Sequence, residues 1–156
     1  RAMRLLKSAL VLLLPVIVII SCTPRAALTP QAAFHDLKEA FRKSDAAGLE
    51  RQLSRDSVRK IRYMTGLFSR MDERQLDALS KKFKVSPERL KKLSVRDYCA
   101  LTLALGKGPN AVGTATSRSV VGIDRKGSRA VVRVDNGMEL PFVKEGPYWK
   151  FDMTGF

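Results

Sequence analysis

The chain predicts an α+β fold in which N-terminal helices pack on a C-terminal four-stranded antiparallel meander. Two observations carry that expectation. From residue 29 to 107 apolar side chains recur at helical spacing behind repeated capping signals, and from residue 113 onward the period changes to two. Three glycine-containing turns then divide the second region into four short runs. At 156 residues, 45% hydrophobic and 28% charged, the chain suits one globular domain with an appendage, and it is too short for two full-sized domains.

The appendage comes first. Read from Met3, "MRLLKSALVLLLPVIVIISC" opens with Arg4 and Lys7 and continues as an apolar run from Ala9 to Ile20, broken only by Pro15. That run falls short of the roughly 18 to 20 apolar residues a spanning helix needs, and it suits the core of an export signal. Ile19-Ile20-Ser21-Cys22 resembles the lipobox of bacterial lipoproteins, with Ile19 standing where leucine is commonest. The resemblance implies cleavage between Ser21 and Cys22, a diacylglyceryl group on the Cys22 thiol and acylation of the new amino terminus. Two or three acyl chains, at about 0.8 kcal/mol per buried methylene, anchor a protein stably where one chain holds it marginally. A cleaved secreted precursor and an uncleaved anchor are the other readings of this segment, and its length and flanks favour them less. The expected layout is a signal peptide over 1–21, a lipidated tether over 22–28, and a single domain over 29–156, helical to 107 and sheet from 113. Its expected place is the bacterial cell envelope, lipid-anchored, and Thr23 instead of aspartate after the cysteine favours the outer membrane, facing the periplasm.

The domain opens at Thr29-Pro30, a capping hydroxyl followed by proline at the first helical position. Phe34, Leu37 and Phe41, with Ala33 and Ala40, then share one face. After Ser44-Asp45 a shorter helical piece carries Leu49 and Leu53 and ends near Ser54. Val58, Ile61, Met64, Leu67 and Phe68 form the next stripe. Asp72 is the expected cap of a helix bearing Leu76, Leu79 and Phe83, and Ser86-Pro87-Glu88 begins a short one with Leu90 and Leu93. Ser94-Val95-Arg96-Asp97 resembles a capping box and opens a helix with Tyr98, Leu101 and Leu105, stopped by Gly106, Gly108 and Pro109. "GKGPNAVG" follows a helix and lacks phosphate-loop spacing, so it reads as a linker.

"SRSVVGID", "SRAVVRVD", "MELPFVKE" and "YWKFDM" are the expected strands, separated by Arg125-Lys126-Gly127, Asn136-Gly137 and Gly146-Pro147. On the last strand Trp149, Phe151 and Met153 share the face that should meet the helices. Pro141 falls on an inner strand, which requires a bulge or a nitrogen turned away from the ladder.

The run "TPQAAFHDLKEAFRKSDAAGLERQLS" and the closing "EGPYWKFDM" resemble the nuclear-transport-factor-two-like, ketosteroid-isomerase-like (cystatin-like) superfamily, across about a quarter of the chain. That resemblance implies a cone-like wrap of curved sheet around helices, with room for a pocket, and homodimers through the outer face of the sheet. Residues 55–107 depart from it by supplying extra helices. Tyr63, Asp97, Tyr98 and Trp149 are the residues the resemblance would place in a pocket. Simpler roles compete: the core for Tyr63 and Tyr98, and the capping box for Asp97.

Charge gives the remaining functional signal. Lys plus Arg number 29 against 15 acidic residues, a net +14 that favours anionic partners. The excess lies mainly before residue 113, with 19 basic and 10 acidic residues over 22–112 and 7 and 5 over 113–156. Anionic lipid head groups or a cell-wall polymer fit an exported protein, whereas no nucleic-acid motif is present. Cys22 and Cys99 form no disulfide framework or zinc spacing, and the single histidine, His35, stands off the first helix's apolar stripe. No catalytic residue, metal or cofactor is expected. The expected function is a non-enzymatic binding or structural domain with a basic helical surface. The alternative is a small-molecule binder, or an isomerase- or dehydratase-like protein, using a pocket between helices and curved sheet.

Overall fold

The computed structural model describes residues 27–106 and 111–156. The expected signal peptide, Cys22, residues 23–26 of the tether and residues 107–110 of the linker lie outside them. The described chain is α+β: α1 (Pro30–Arg42), α2 (Ala46–Gln52), α3 (Arg55–Phe68), α4 (Glu73–Phe83), α5 (Pro87–Lys91), α6 (Val95–Leu105) and α7 (Val112–Thr116) precede β1 (Val120–Lys126), β2 (Arg129–Val134), β3 (Glu139–Glu145) and β4 (Tyr148–Phe151).

Six helices start on a side-chain cap. Thr29, Asp45, Ser54, Asp72, Ser86 and Ser94 each accept the backbone N–H three residues ahead. Such caps contribute about 1 kcal/mol apiece, so each helix start is specified locally. The Ser94–Asp97 capping box forms in both directions. Buried Ala33, Phe34, Leu37 and Ala40 place one face of α1 against the sheet, as the spacing predicts.

The strands pair antiparallel in the order β1-β2-β3-β4. Ala130, Val132 and Val134, Leu140 and Phe142, and Trp149 and Phe151 are all buried, and by alternation they form one inner face. Gly127 and Gly146 hold φ of 59° and 60° at the first position of two-residue turns, where an L side chain would be strained. Val131 pairs with Pro141 in an unbroken β2–β3 register, while the Pro141 carbonyl accepts the Asp152 N–H at 2.9 Å. A residue's N–H and C=O point to the same side of a strand, so the missing donor of Pro141 faces the end of β4. The ladder loses one bond at its last position and needs no bulge there.

Three expectations are corrected. Residues 113–116 belong to a helical turn, and the first strand begins only at Val120. Gly113 permits that turn to sit against α6, since a Cβ on it would lie 2.4 Å from the Gly106 carbonyl oxygen and about 3 Å from the Phe41 ring. The folded part begins before the expected residue 29, because Ala27 is buried and its carbonyl accepts the Trp149 N–H at 2.8 Å. Met153 lies beyond β4, in a closing 3-10 turn.

Two apolar cores result. The larger joins α1, α2, the Ile61 face of α3, α6, α7 and the inner sheet face; the smaller gathers Leu76, Leu90 and Leu93 between the end of α3, α4 and α5, with Phe68, Leu79 and Phe83 around them. Tyr98 touches both.

Candidate anion-binding surface

The place expected for a cone pocket offers little room for a ligand. Between helices and sheet the space amounts to about 20 Å³, enclosed by Phe41, Leu49, Leu53, Tyr98, Cys99 and Phe151 among others. A single water needs roughly 10–15 Å³ by this kind of measure, so the space accepts no substrate.

The four residues expected at a pocket do not converge. Tyr63 is 70% exposed on the outer side of α3, which corrects its expected place in the core or a cone pocket. Trp149 is fully buried in the inner sheet face, with the Arg125 guanidinium 5.1 Å from its ring centroid, so it fills the core and lines no cavity. Asp97 serves the capping box. The Ser94 hydroxyl, at 2.6 Å, and then the Ser94 N–H hold its carboxyl below the usual range, with Arg89 adding a smaller pull. Tyr98 is half-buried, and desolvation raises its phenol. An apolar cleft of about 220 Å³ does lie beside it, between Phe68, Phe83, Leu93 and Leu105, but Tyr98 is the one ionisable group on its wall.

A polar cluster that the sequence reading missed joins the two halves of the fold. Buried Ser54 and Ser57 lie 2.8 Å apart through their hydroxyls, and Ser57 Oγ accepts the Met153 N–H at 2.9 Å. Asp152 approaches both at 3.4–3.5 Å. The hydroxyls satisfy backbone groups and meet the Asp152 carboxylate, and no histidine accompanies them: the His35 side chain is 71% exposed on α1 beside Asp36. Cys99 is buried, and its thiol is pushed up to about 12 by desolvation and then by the Glu50 carboxylate, against Arg96. Among the described residues no group of three His, Cys, Asp or Glu side chains is placed to hold a metal ion, and no helix is long and apolar enough to cross a membrane.

Charge is distributed far less evenly. Thirteen basic residues face six acidic ones over residues 55–97. Arg55, Arg59, Lys81, Arg89 and Arg96 are paired with Glu145, Asp56, Asp77, Asp97 and Glu50. Arg62, Arg70, Arg74, Lys82, Lys84, Lys91 and Lys92 are exposed and make no ion pair among the described residues. All seven lie on α3, α4, α5 and their loops. By contrast α1 neutralises itself: Arg42, at 2.6 Å, and Lys43 flank Glu39, and the Arg42 hydrogen bond pulls that carboxyl down to about 2.

Part of this surface is concave. A groove of about 660 Å³ runs between the second half of α3 and the α5–α6 connection, lined by Arg62, Thr65, Gly66, Lys91, Lys92, Ser94, Arg96 and Glu50. Glu50 is the one carboxylate in that lining, and Arg96 Nε already occupies it at 2.9 Å. The groove therefore presents uncompensated positive charge. No family model, curated protein or solved structure matches the chain.

Proposed function

We propose that the protein is a lipid-anchored lipoprotein of the bacterial cell envelope whose helical domain binds, without catalysis, the anionic head groups of the membrane that holds it. The lipobox-like Ile19-Ile20-Ser21-Cys22 supports the anchor, and Thr23 supports the outer membrane, facing the periplasm. The observation that carries the binding role is the set of seven unpaired cations on the α3–α5 layer. The cavity between helices and sheet, at about 20 Å³, argues against the pocket-based alternative at that place.

A basic segment near an anionic surface gains about 1 kcal/mol per Lys or Arg. The gain comes from long-range attraction, so salt weakens it. Two measurements test the proposal. Mass spectrometry of the membrane-extracted protein should find Cys22 as the first residue, carrying diacylglycerol; an unmodified Cys22 or an intact signal overturns the anchor. For the surface, Ala78→Cys gives an exposed labelling position on α4, outside the groove lining, while Cys99 stays buried and Cys22 is blocked by lipid. A fluorophore there, in lipid discs carrying a nitroxide quencher, should be quenched more in phosphatidylglycerol than in phosphatidylcholine. The difference should vanish between about 0.05 M and about 0.5 M salt as the screening length contracts. Equal, salt-independent quenching in both lipids overturns the binding role.

A further inference from the structure

The groove between α3 and the α5–α6 connection has a more specific chemistry than the cationic face around it. We infer that it is a binding site for a phosphate group, taken as phosphate ester or diester, and this rests on the proposed anion-binding role. Arg62 approaches from one wall, and Lys91 and Lys92 from the other. None of the three has an ion-pair partner to lose among the described residues, so an incoming phosphate displaces only water from them. Arg and Lys differ usefully here: the planar guanidinium forks onto two phosphate oxygens, and the ammonium groups add compact charge.

Glu50 sets the net charge of the groove. Held by Arg96 at 2.9 Å, it leaves three net positive charges in the lining for the ligand. Its partner Arg96 is thereby kept in place beside the groove. Arg70, Arg74 and Lys84 carry equal charge and lie outside the groove lining.

The test titrates the full lipidated chain, held in neutral detergent micelles, by calorimetry with inorganic phosphate and with dihexanoyl phosphatidylglycerol. Wild-type protein should bind at least one of them with an affinity that falls as salt rises. Binding of phosphatidylglycerol alone identifies a lipid head group as the ligand, binding of both identifies any accessible phosphate, and either supports the site. Arg62→Gln with Lys91→Gln and Lys92→Gln should weaken binding at least about ten-fold, because charge-assisted contacts are lost. Arg70→Gln with Arg74→Gln and Lys84→Gln removes the same charge elsewhere and should weaken it less than about three-fold, through long-range attraction alone. Equal losses in the two triple variants, with circular dichroism unchanged, overturn the groove site and leave the diffuse cationic face standing. Absence of binding by the wild type to either probe at low salt, together with lipid-independent quenching at Ala78→Cys, overturns both.

Discussion

At the scale of single residues, burial separates Cys99 from chemistry. A thiol ionises readily only where charge or solvent stabilises the thiolate, and at Cys99 burial outweighs the pull of Arg96: it is 1% exposed, and burial followed by the nearby Glu50 raises it to about 12. The sign of the pH effect follows. The unfolded chain ionises this thiol near its ordinary value of 9, and the folded chain only near about 12. The stabilising contribution is therefore complete below 9 and is lost as pH rises towards about 12. Alkylation of Cys99 by iodoacetamide at neutral pH should proceed only as the fold opens, and peptide mass spectrometry against time reads this directly. Modification at the rate of an unfolded thiol under native conditions would contradict the burial. Tyr63 shows the reverse lesson. Its helical neighbours Ile61 and Thr65 turn inward, and a two-residue offset from either points it to solvent.

Among the elements, starts were easier to read than stops. Thr29, Asp72, Ser86 and the Ser94–Asp97 pair are capping residues by chemistry, and each caps a helix where the spacing predicted one. Helix ends are usually announced by glycine, yet Ser44 and Lys84 take left-handed φ of 52° and 54° after α1 and α4. At α4 the Lys84 N–H and the Val85 N–H both return to the Ser80 carbonyl, at 3.2 Å for Val85, and no glycine signals that stop in the sequence. The left-handed region costs a non-glycine residue roughly 1–2 kcal/mol, partly offset because glycine is freer in the unfolded chain. Lys84→Gly should therefore stabilise the protein by about 0.5–1 kcal/mol in urea unfolding. A loss of stability would mean that the Lys84 side chain contributes something its exposure does not suggest. The same reasoning explains the misread first strand. "VGTAT" has no apolar period long enough to declare itself, and its helical turn depends on Gly113 meeting Gly106, a contact between residues seven apart that period alone cannot register.

For the molecule as a whole, the period change predicted the α+β order and the meander correctly, because both follow from local pattern and turn chemistry. The division into two cores did not show, since Leu76, Leu90 and Leu93 read as ordinary helix stripes until the α3–α5 layer is folded beside the sheet domain. That division has an energetic consequence. The main cluster buries eighteen residues and includes the sheet, while the second buries three and carries the seven unpaired cations. Few buried contacts and mutual repulsion place the second layer at the low-stability end of the fold. Leu76→Ala removes a fully buried side chain from it, at a cost of about 2–4 kcal/mol if the site cannot collapse. The loss should be local. Hydrogen exchange of the wild type should be faster over Glu73–Phe83 and Pro87–Lys91 than over Arg129–Val134 and Glu139–Glu145, and Leu76→Ala should accelerate the first pair of segments while leaving the strands protected. A phosphate seated at Arg62, Lys91 and Lys92 binds only the folded layer and relieves its repulsion, so saturating ligand should slow exchange there before it slows exchange in the sheet. A uniform acceleration of helices and strands by Leu76→Ala would show a single cooperative unit, in which the cationic layer has no opening of its own for an anion to suppress.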